Sequence, residues 1–321
     1  MTAILLVTAP FFALVLCGWL AARQHVLPES AIPGLNAFVL YFALPCMLFR
    51  FGAGTPVLQM LNPTLLAVYL LCAALMVAFT VAVTIGPQVN LRDASFGALV
   101  AAFPNTGFMG VPLLVALLGP TAAGPAICTI TADLVVTTSA CLALAEAHGS
   151  GGAGLRHAAK RIALGVAKNP MPWAIGLGAL FSALGWKLSG PVDTVVRMLA
   201  DAASPVALFT IGAVLWRAGQ HAHTRTPVSR YLPVALIKLL LHPLLLLALG
   251  LAARQLGADL PDFALMVMVL VAALPSASNV AILTERYGAD TGRVARIIMS
   301  STVLAFGSFT AIAWLFGVNP R

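Results

Sequence analysis

The sequence predicts an all-α integral membrane protein with ten transmembrane helices, arranged as two inverted five-helix repeats with broken, crossing helices four and nine. Three observations favour this fold class. Of the 321 residues, 60% are hydrophobic and only 9% are charged, whereas about 25% of the residues in a soluble domain are charged. The apolar residues form ten runs, each near the length of roughly 20 residues that crosses a bilayer. Two of these runs are broken by proline in matching places.

The ten predicted spans follow one another with short connections. They run Ala3–Ala22, Pro33–Phe51, Pro63–Gly86, Ala94–Leu118, Ala123–Ala145, Pro170–Trp186, Val195–Leu215, Leu232–Ala253, Phe263–Leu283 and Val294–Phe316. The stretch Met1–Leu20 lacks the basic leading region of a signal peptide, so it is predicted to be the first membrane span and not a cleavable signal peptide. The longest connection contains GSGGAG and four basic residues. It predicts a first repeat over residues 1–146, a cytoplasmic linker over 147–169 and a second repeat over 170–321.

Spans four and nine carry the same kind of break. Span four reads LVAAFPNTGFMG over Leu99–Gly110, and span nine reads LVAALPSASN over Leu270–Asn279. The first six residues of the two stretches agree at five positions, at an offset of 171 residues. Proline cannot donate a backbone hydrogen bond and ends or kinks a helix. A helix broken at bilayer depth survives only where it is buried in protein or lines a wet cavity, so the two breaks predict a transporter site at the midplane.

Further matches relate the two halves of the chain. Ala43–Ala53 reads ALPCMLFRFGA, and Ala203–Ala213 reads ASPVALFTIGA, at an offset of 160 residues. Pro63 and Pro233 are predicted to open spans three and eight. Because five spans is an odd number, the second half must enter the membrane from the opposite side, which predicts an inverted repeat. The alternative is a chance similarity between helices rich in alanine and leucine.

The basic residues predict the orientation of the chain. Twelve of them lie in loops on the side of the linker, namely Arg23, Arg92, Arg156, Lys160, Arg161, Lys168, Arg217, Arg225, Arg230, Arg286, Arg293 and Arg296. Five lie on the other side, namely Arg50, Lys187, Arg197, Arg254 and Arg321. Cytoplasmic loops carry the excess of Lys and Arg, so both termini are predicted on the non-cytoplasmic side. The net charge of +8 is explained by these short loops, and nucleic acid is not expected as a partner.

The motifs resemble those of a known family. They are FPNTGFMGVPLL at Phe103–Leu114, ALPCMLF in span two, KNP at Lys168–Pro170, SPVALFTIG in span seven and ALPSASN in span nine. Over essentially the whole chain the sequence resembles the auxin efflux carrier family, which includes plant auxin exporters and bacterial permeases for malonate and malate. The large hydrophilic middle loop of the long plant exporters is absent. The resemblance implies crossing broken helices, a small carboxylate substrate bound beside the crossing, a place in the bacterial inner (plasma) membrane and a homodimer.

Small polar residues at the two breaks are the candidate substrate-binding residues. They are Pro104, Asn105, Thr106 and Gly107 in span four, and Pro275, Ser276, Ser278 and Asn279 in span nine. The second half of span four begins at Asn105, where free backbone N–H groups and the positive end of a helix dipole suit a carboxylate. The resemblance implies that this asparagine faces the substrate. Alternatively, the polar side chains only satisfy the unwound backbone, and those of span nine have ion coordination as a third alternative.

Asp133 in span five is the candidate coupling residue. A charge at bilayer depth costs roughly 2.5–3.5 kcal/mol on insertion scales, so Asp133 is expected to face a cavity or a partner. By the family pattern it replaces a glutamine that lines the site of the plant exporters. Thr129 and Thr138 lie about one turn away on either side. These residues predict coupling to a proton or a sodium ion, and the alternative is a buried structural carboxylate.

Three further charged residues have two interpretations each. Arg50 ends span two and is a candidate for a second substrate carboxylate, because guanidinium binds carboxylates in bidentate fashion. Alternatively, Arg50 snorkels to the outer interface. Lys238 lies deep in span eight, one turn before His242, and is expected to pair with Asp133 or Asp201 in a supporting role. Asp201 also follows Asp193 and Arg197 at four-residue spacing, which is typical of a charge ladder on a helix.

The other motifs do not predict chemistry. GSGGAG follows a membrane span and no strand, so it is interpreted as a linker and not as a nucleotide loop. His221 and His223 lack further ligands in sequence, and the five cysteines show no metal or disulfide pattern. The prediction is therefore a non-enzymatic secondary transporter of small organic anions, working by alternating access without a cofactor. The alternatives are a sodium-coupled symporter of another organic anion, and a membrane sensor or enzyme that reuses the fold.

Overall fold

The computed structural model describes residues 1–56, 62–147, 167–220 and 226–320. Within these ranges the chain is helical and forms no β-strand, and two isolated β-bridges join Gly86 to Val89 and Pro104 to Ser276. The prediction of an all-α protein is confirmed for these residues. The glycine-rich part of the predicted linker, His221 and His223 lie outside the described residues.

The helices are numbered here in chain order. They are α1 (Thr2–Arg23), α2 (Ala31–Phe38), α3 (Leu44–Gly54), α4 (Pro63–Thr84), α5 (Leu91–Ala102), α6 (Val111–Leu118), α7 (Ala123–Ala132), α8 (Thr138–Ala147), α9 (Pro170–Leu184), α10 (Gly190–Gln220), α11 (Val228–Leu236), α12 (His242–Gln255), α13 (Asp262–Ala272), α14 (Val280–Arg286) and α15 (Thr291–Leu315). Short π-helical segments lie at Val39–Ala43, Thr106–Gly110, Asp133–Thr137 and Ile237–Leu241. Such segments are rare and often occur at functional sites.

The described helices have the length and apolarity of membrane spans. Seven stretches are long enough to cross a bilayer, namely Thr2–Arg23, Ala31–Gly54, Pro63–Thr84, Pro120–Ala147, Gly190–Arg217, Val228–Gln255 and Thr291–Leu315. Three shorter apolar helices are Thr106–Leu118, Pro170–Leu184 and Asp262–Ala272. The predicted spans four and nine are the two that are split. The chain leaves the helical conformation between Ala102 and Thr106 and again between Ala272 and Val280, as the sequence predicts.

Two spans begin four or more residues before their predicted starts. Helix α10 begins five residues before the predicted start of span seven, and its first turns contain an Asp193–Arg197 ion pair of 2.8 Å. The prediction that Pro233 opens span eight is wrong. Helix α11 begins at Val228 after Pro227, and Pro233 lies inside it. Pro63, by contrast, is the first residue of α4.

Glycine allows α1 and α10 to approach backbone to backbone. A Cβ atom added at Gly18 of α1 would lie 1.8 Å from the carbonyl oxygen of Phe209. A Cβ atom added at Gly212 of α10 would lie 1.9 Å from the carbonyl oxygen of Val15. Small residues allow such close packing of helices in membranes.

Helices α3 and α9 make the same kind of contact. A Cβ atom at Gly178 of α9 would lie 2.5 Å from the carbonyl oxygen of Phe49, and one at Gly52 of α3 would lie 3.2 Å from that of Ile175. Each residue of this contact is 160 positions from a residue of the contact between α1 and α10. The equivalent residues are Gly18 and Gly178, Phe49 and Phe209, Gly52 and Gly212, and Val15 and Ile175.

Candidate functional site

The two breaks in the chain lie against each other. The backbone N–H of Asn105 donates to the carbonyl oxygen of Pro275 at 2.8 Å, and the backbone N–H of Ala277 donates to that of Phe103 at 3.0 Å. Unwound backbone at membrane depth needs such partners, because lipid offers no hydrogen bonds. The structure therefore brings together the two segments that the sequence singles out.

Ser276 supplies a hydrogen bond that Pro104 cannot make. In a continuous helix, the carbonyl of Val100 would accept from the N–H of residue 104, but proline has none. The hydroxyl of the fully buried Ser276 donates to that Val100 oxygen at 2.7 Å. The backbone N–H of Ser276 in turn donates to the hydroxyl of Ser301 at 3.2 Å. Ser276 thus satisfies the broken backbone, which is one of the three roles that the sequence leaves open for it.

Asn105 and Asn279 have unused hydrogen-bonding capacity. Asn105 is 3% exposed, and its Oδ1 atom is buried without a hydrogen-bond partner. The Oδ1 atom of Asn279 is also buried and unpaired. An unsatisfied buried polar group costs about 1–3 kcal/mol. A primary amide both donates and accepts, and a half-turn exchanges its ends. These two side chains are therefore ready to bind a polar ligand.

The remaining residues of the first break differ in their surroundings. Thr106 is fully buried, and its hydroxyl lies 3.5 Å from the carbonyl oxygen of Pro104, at the limit of a hydrogen bond. A Cβ atom added at Gly107 would have no atom within 4 Å, so there is open space beside this backbone. At Gly110 a Cβ atom would lie 2.4 Å from Cδ1 of Leu274. Gly107 thus leaves room for a ligand, whereas Gly110 allows the two breaks to pack.

Two cavities flank α14, the helix that follows the second break. The first has a volume of about 330 Å³, and its walls include Phe103, Thr138 and Asn279. The second has a volume of about 870 Å³, and its walls include Phe108 and Ser278. Both volumes lie in or near the range of roughly 300–1,000 Å³ that small-molecule sites occupy. Of the eight candidate substrate-binding residues at the breaks, Asn279 lines the first cavity and Ser278 the second, whereas the other six line neither.

Asp133 is fully buried and its carboxylate is hydrogen-bonded on both oxygens. The hydroxyl of Tyr69 in α4 donates to Oδ2 at 2.6 Å, and the hydroxyl of Thr137 donates to Oδ1 at 2.9 Å. Asp133 begins the π-helical segment Asp133–Thr137. Hydrogen bonds to a charged group are stronger than those between neutral groups. The carboxylate thus has partners, as the cost of a charge at this depth requires.

The two threonines predicted beside Asp133 do not contact its carboxylate. Thr138 donates to the backbone carbonyl oxygen of Asp133 at 2.7 Å, and Thr129 donates to that of Ala126 at 2.8 Å. Thr138 also lines the first cavity, one turn from Asp133 along the same helix. The groups that do contact the carboxylate are those of Tyr69 and Thr137, which the sequence analysis missed. A lone tyrosine in an apolar span is the available signal for Tyr69, because a buried phenol needs a partner.

Lys238 stabilises the end of the first half of the downstream broken helix. Its Nζ atom donates to the carbonyl oxygen of Ala272, the last residue of α13, at 2.7 Å, and lies 3.0 Å from Nδ1 of His242. A cation at the carbonyl end of a helix is favoured by the helix dipole. Among the described residues, neither Asp133 nor Asp201 lies within 4 Å of this ammonium group, but buried Asp133 is near enough to interact with it electrostatically, whereas Asp201 is exposed. Lys238 therefore links α11 and α12 to the break through hydrogen bonds.

Comparison with known proteins identifies the family. Residues 3–154 and 155–313 match the sequence model of a family described as membrane transport protein. The chain belongs to the auxin efflux carrier family. It is 28% identical over 312 residues to the "Putative malonate transporter" of Rhizobium meliloti, covering 95% of this chain and 93% of that protein. It is 25% identical to the "Uncharacterized transporter YfdV" of Escherichia coli K12, covering 96% and 95%. It is 24% identical to "Auxin efflux carrier component 8" of Arabidopsis thaliana, covering 84% and 85%.

Membership of the auxin efflux carrier family makes this chain a membrane transporter, and its relatives are named transporters and not enzymes. In this carrier the described residues contain no group of three or more His, Cys, Asp or Glu side chains placed to hold a metal ion. Arg50 lies in α3 and is half-buried, with its Nη1 atom fully buried and unpaired. Neither of the two cavities includes Arg50 in its walls. Its role as a ligand for a second carboxylate stays a prediction.

Proposed function

We propose that this carrier is a secondary transporter of small organic anions, with the substrate carboxylate bound where the two breaks meet. The observation that carries the proposal is the contact between the breaks, which leaves one buried amide oxygen unpaired on Asn105 and another on Asn279, and Asn279 lines the first cavity. The names of two relatives, a malonate transporter and an auxin efflux carrier, support a carboxylate as the substrate. The site residues are those of the two breaks, namely Pro104, Asn105, Thr106, Gly107, Pro275, Ser276, Ser278 and Asn279.

The proposal includes a fold of ten spans in two inverted repeats, residues 1–146 and 170–321. Two such repeats would be related by a two-fold axis, which exchanges each residue of one repeat with its equivalent in the other. The glycine contacts support this, because the contact between α1 and α10 and the contact between α3 and α9 consist of equivalent residues at a single offset of 160. An axis in the membrane plane also relates the two broken helices, which then cross at their paired breaks.

The proposed orientation makes the structure an inward-open state. The first cavity is lined by Lys168 and Arg286, and the second by Glu29 and Arg217. All four residues lie in or next to loops that the positive-inside rule assigns to the cytoplasm. In the bacterial inner membrane, both cavities would then open to the cytoplasm. Alternating access requires a second state in which the body holding the breaks rocks toward the other side.

Asp133 is the proposed coupling residue, binding either a proton or a sodium ion. Its carboxylate is buried one turn from Thr138, which lines the first cavity. An unneutralised carboxylate at this place would repel an anionic substrate, so a bound cation would favour substrate binding. The contacts with Tyr69 and Thr137 support a carboxylate held in a fixed position. Thr129 and Thr138, which bond to backbone oxygens, would support the helix around it.

The function is tested by counterflow in proteoliposomes. Purified carrier is reconstituted with unlabelled malonate inside, and entry of labelled malonate is followed with and without sodium and a pH gradient. The proposal predicts counterflow that requires the carrier, and an accumulation that responds to one of the two gradients. Liposomes without protein give the background. Absence of counterflow with malonate, malate and an aromatic acetic acid would reject an organic anion carrier.

The orientation predicts which residues a membrane-impermeant reagent reaches from each side. Single cysteines at Ser150 and at Asn319, in a background without the five native cysteines, are expected to label from opposite sides of the membrane. Ser150 lies in the part of the linker outside the described residues, and Asn319 follows α15. The linker site is expected to label only in inverted membranes. Labelling of both sites from the same side would exclude the five-plus-five arrangement.

The substitution Asn105→Ala is expected to weaken substrate binding while leaving the folded protein intact. A hydrogen bond to a charged group contributes about 1.5–3 kcal/mol, so the apparent affinity for the carboxylate is expected to fall about tenfold or more. The measurement is the concentration dependence of counterflow. Ser276→Ala serves as the contrasting variant, since it leaves the Val100 carbonyl unpaired and is expected to lower thermal stability. Counterflow with unchanged affinity in Asn105→Ala would show that Asn105 only satisfies the break.

A further inference from the structure

Helix α14 lies between the two cavities, which share Leu40, Tyr41 and Ile282 in their walls and otherwise meet different residues of this helix. Asn279, Leu283 and Arg286 line the first cavity, and Ser278, Ala281 and Glu285 line the second. Positions three, four and seven residues apart share one face of a helix, which explains both sets. Neighbouring residues such as Glu285 and Arg286 therefore belong to different cavities.

The two cavities also differ in charge. The charged residues in the walls of the first are Lys168 and Arg286, with no carboxylate among its lining residues. Those of the second are the acidic Glu29 and Glu285 and the basic Arg217. Apart from charge, the first cavity offers the side-chain amide of Asn279 as a hydrogen-bond donor, whereas the hydroxyl of Thr138 already donates to the backbone oxygen of Asp133. An anion is therefore favoured in the first cavity and disfavoured in the second.

The spacing along α14 fits an anion with two charged ends. Asn279 and Arg286 are seven residues apart, which places their Cα atoms about 10 Å apart along the helix. Side chains on a helix lean toward its N-terminus, so we expect the guanidinium of Arg286 to extend back over the turn that holds Leu283. Such a lean would bring its charge toward Asn279 and shorten the gap that a small dicarboxylate has to span. Lys168, whose side chain is exposed, stands at the same cavity.

We propose that Arg286 and Lys168 bind the second carboxylate of a dicarboxylate whose first carboxylate lies at the breaks. These two cations select the dianion over monocarboxylic acids of similar size. The inference rests on the proposed function, and it assigns the second carboxylate to residues other than Arg50, which lines neither cavity. Guanidinium and ammonium groups both bind carboxylates, and the guanidinium does so in bidentate fashion.

The test compares malonate with acetate in proteoliposomes that contain the full chain. The variants are Arg286→Gln, Lys168→Gln and the double substitution, with Glu285→Gln as the matched control that faces the second cavity. Each single variant is expected to raise the apparent KM for malonate about fivefold, as for the loss of one exposed ion pair of about 1 kcal/mol. The KM for acetate is expected to stay within about twofold in all variants. Arg286→Lys is expected to keep most of the selectivity.

The results separate this inference from the proposed function. A wild-type protein that carries none of malonate, malate, acetate and an aromatic acetic acid overturns the proposed function, and this inference with it. A wild-type protein that carries acetate or the aromatic acid but no dicarboxylate overturns this inference alone. Wild-type transport of malonate with an unchanged KM in the double variant overturns this inference alone. So does an equal rise in KM for malonate and acetate, because two cations that bind only the second carboxylate have no contact with acetate. The inference is supported if the Arg286 and Lys168 variants raise the KM for malonate more than Glu285→Gln does. It is also supported if high ionic strength raises the KM for malonate in the wild type, because salt screens exposed charges.

Discussion

The substitution Gly18→Ala is expected to abolish folded carrier in the membrane. The new methyl group would lie 1.8 Å from the carbonyl oxygen of Phe209, and its other near neighbours are also backbone atoms of that residue. Backbone atoms cannot rotate away, so α1 and α10 would have to separate by about 1.5–2 Å to reach an ordinary contact distance. Overpacking of this kind costs about 3 kcal/mol. The measurement is the yield of monodisperse protein in detergent and its unfolding temperature.

A matched control lies in the other glycine contact. Gly176 and Gly178 both belong to α9, but a Cβ atom at Gly176 would have no neighbour within 4 Å, whereas one at Gly178 would lie 2.5 Å from the Phe49 carbonyl oxygen. Gly176→Ala is expected to be neutral or to stabilise the helix by about 0.5–1 kcal/mol. Gly178→Ala is expected to behave like Gly18→Ala. Normal yield and unfolding temperature in both contact variants would contradict the close approach of these helices.

The substitution Asp133→Asn is expected to separate exchange from accumulation. The amide keeps the shape of the carboxylate, and the hydroxyls of Tyr69 and Thr137 can rotate to accept from its N–H groups or donate to its oxygen. The side chain is then permanently neutral, so it cannot bind a coupling cation. With one proton per substrate, a gradient of one pH unit supports about tenfold accumulation. In the variant this ratio is expected to fall to about one, with counterflow retained.

Tyr69→Phe is the control for this prediction. It removes one hydroxyl from Asp133 and leaves the carboxylate in place. Accumulation is expected to persist in this variant, with a shifted dependence on pH if the coupling ion is a proton, or on sodium concentration if it is sodium. Accumulation in Asp133→Asn with the wild-type response to both ions would make Asp133 a structural residue. The coupling site would then be sought around Ser276–Asn279.

The breaks and their meeting place could be predicted from the sequence because proline leaves a specific defect. Pro104 and Pro275 each remove a backbone donor, and membrane depth forces the unpaired carbonyls to find partners. Matching positions in the two halves indicated that the partner of each break is the other break. The paired backbones of Phe103, Asn105, Pro275 and Ala277 agree with that prediction. The same argument, taken one step further, predicts a hydroxyl for the Val100 carbonyl, and Ser276 supplies it.

The surroundings of Asp133 and Lys238 could not be predicted in the same way. Tyr69 lies 64 residues from Asp133, and helical periodicity says nothing about which face of one span meets another. The π-helical segment that begins at Asp133 adds a residue to the turn, so Thr138 meets the backbone oxygen of Asp133 and Thr137 meets its carboxylate. For Lys238, the sequence suggested a carboxylate partner, and Asp133 does interact with it electrostatically. Its direct hydrogen bond, however, goes to the carbonyl oxygen of Ala272 at the end of α13, which charge alone could not predict.

The hydrogen bonds between the two breaks also constrain biosynthesis. During translation, the N–H of Asn105 and the carbonyl of Phe103 enter the membrane some 170 residues before Pro275 and Ala277 are made. At about 5–20 residues per second, this interval lasts roughly 10–30 s. Throughout this interval, the backbone groups at the first break lack the hydrogen-bond partners that the second half of the chain supplies. A translocon or insertase that shields the break until the second half arrives would therefore raise the yield of folded carrier, and a ribosome stalled between the halves would leave a segment prone to degradation.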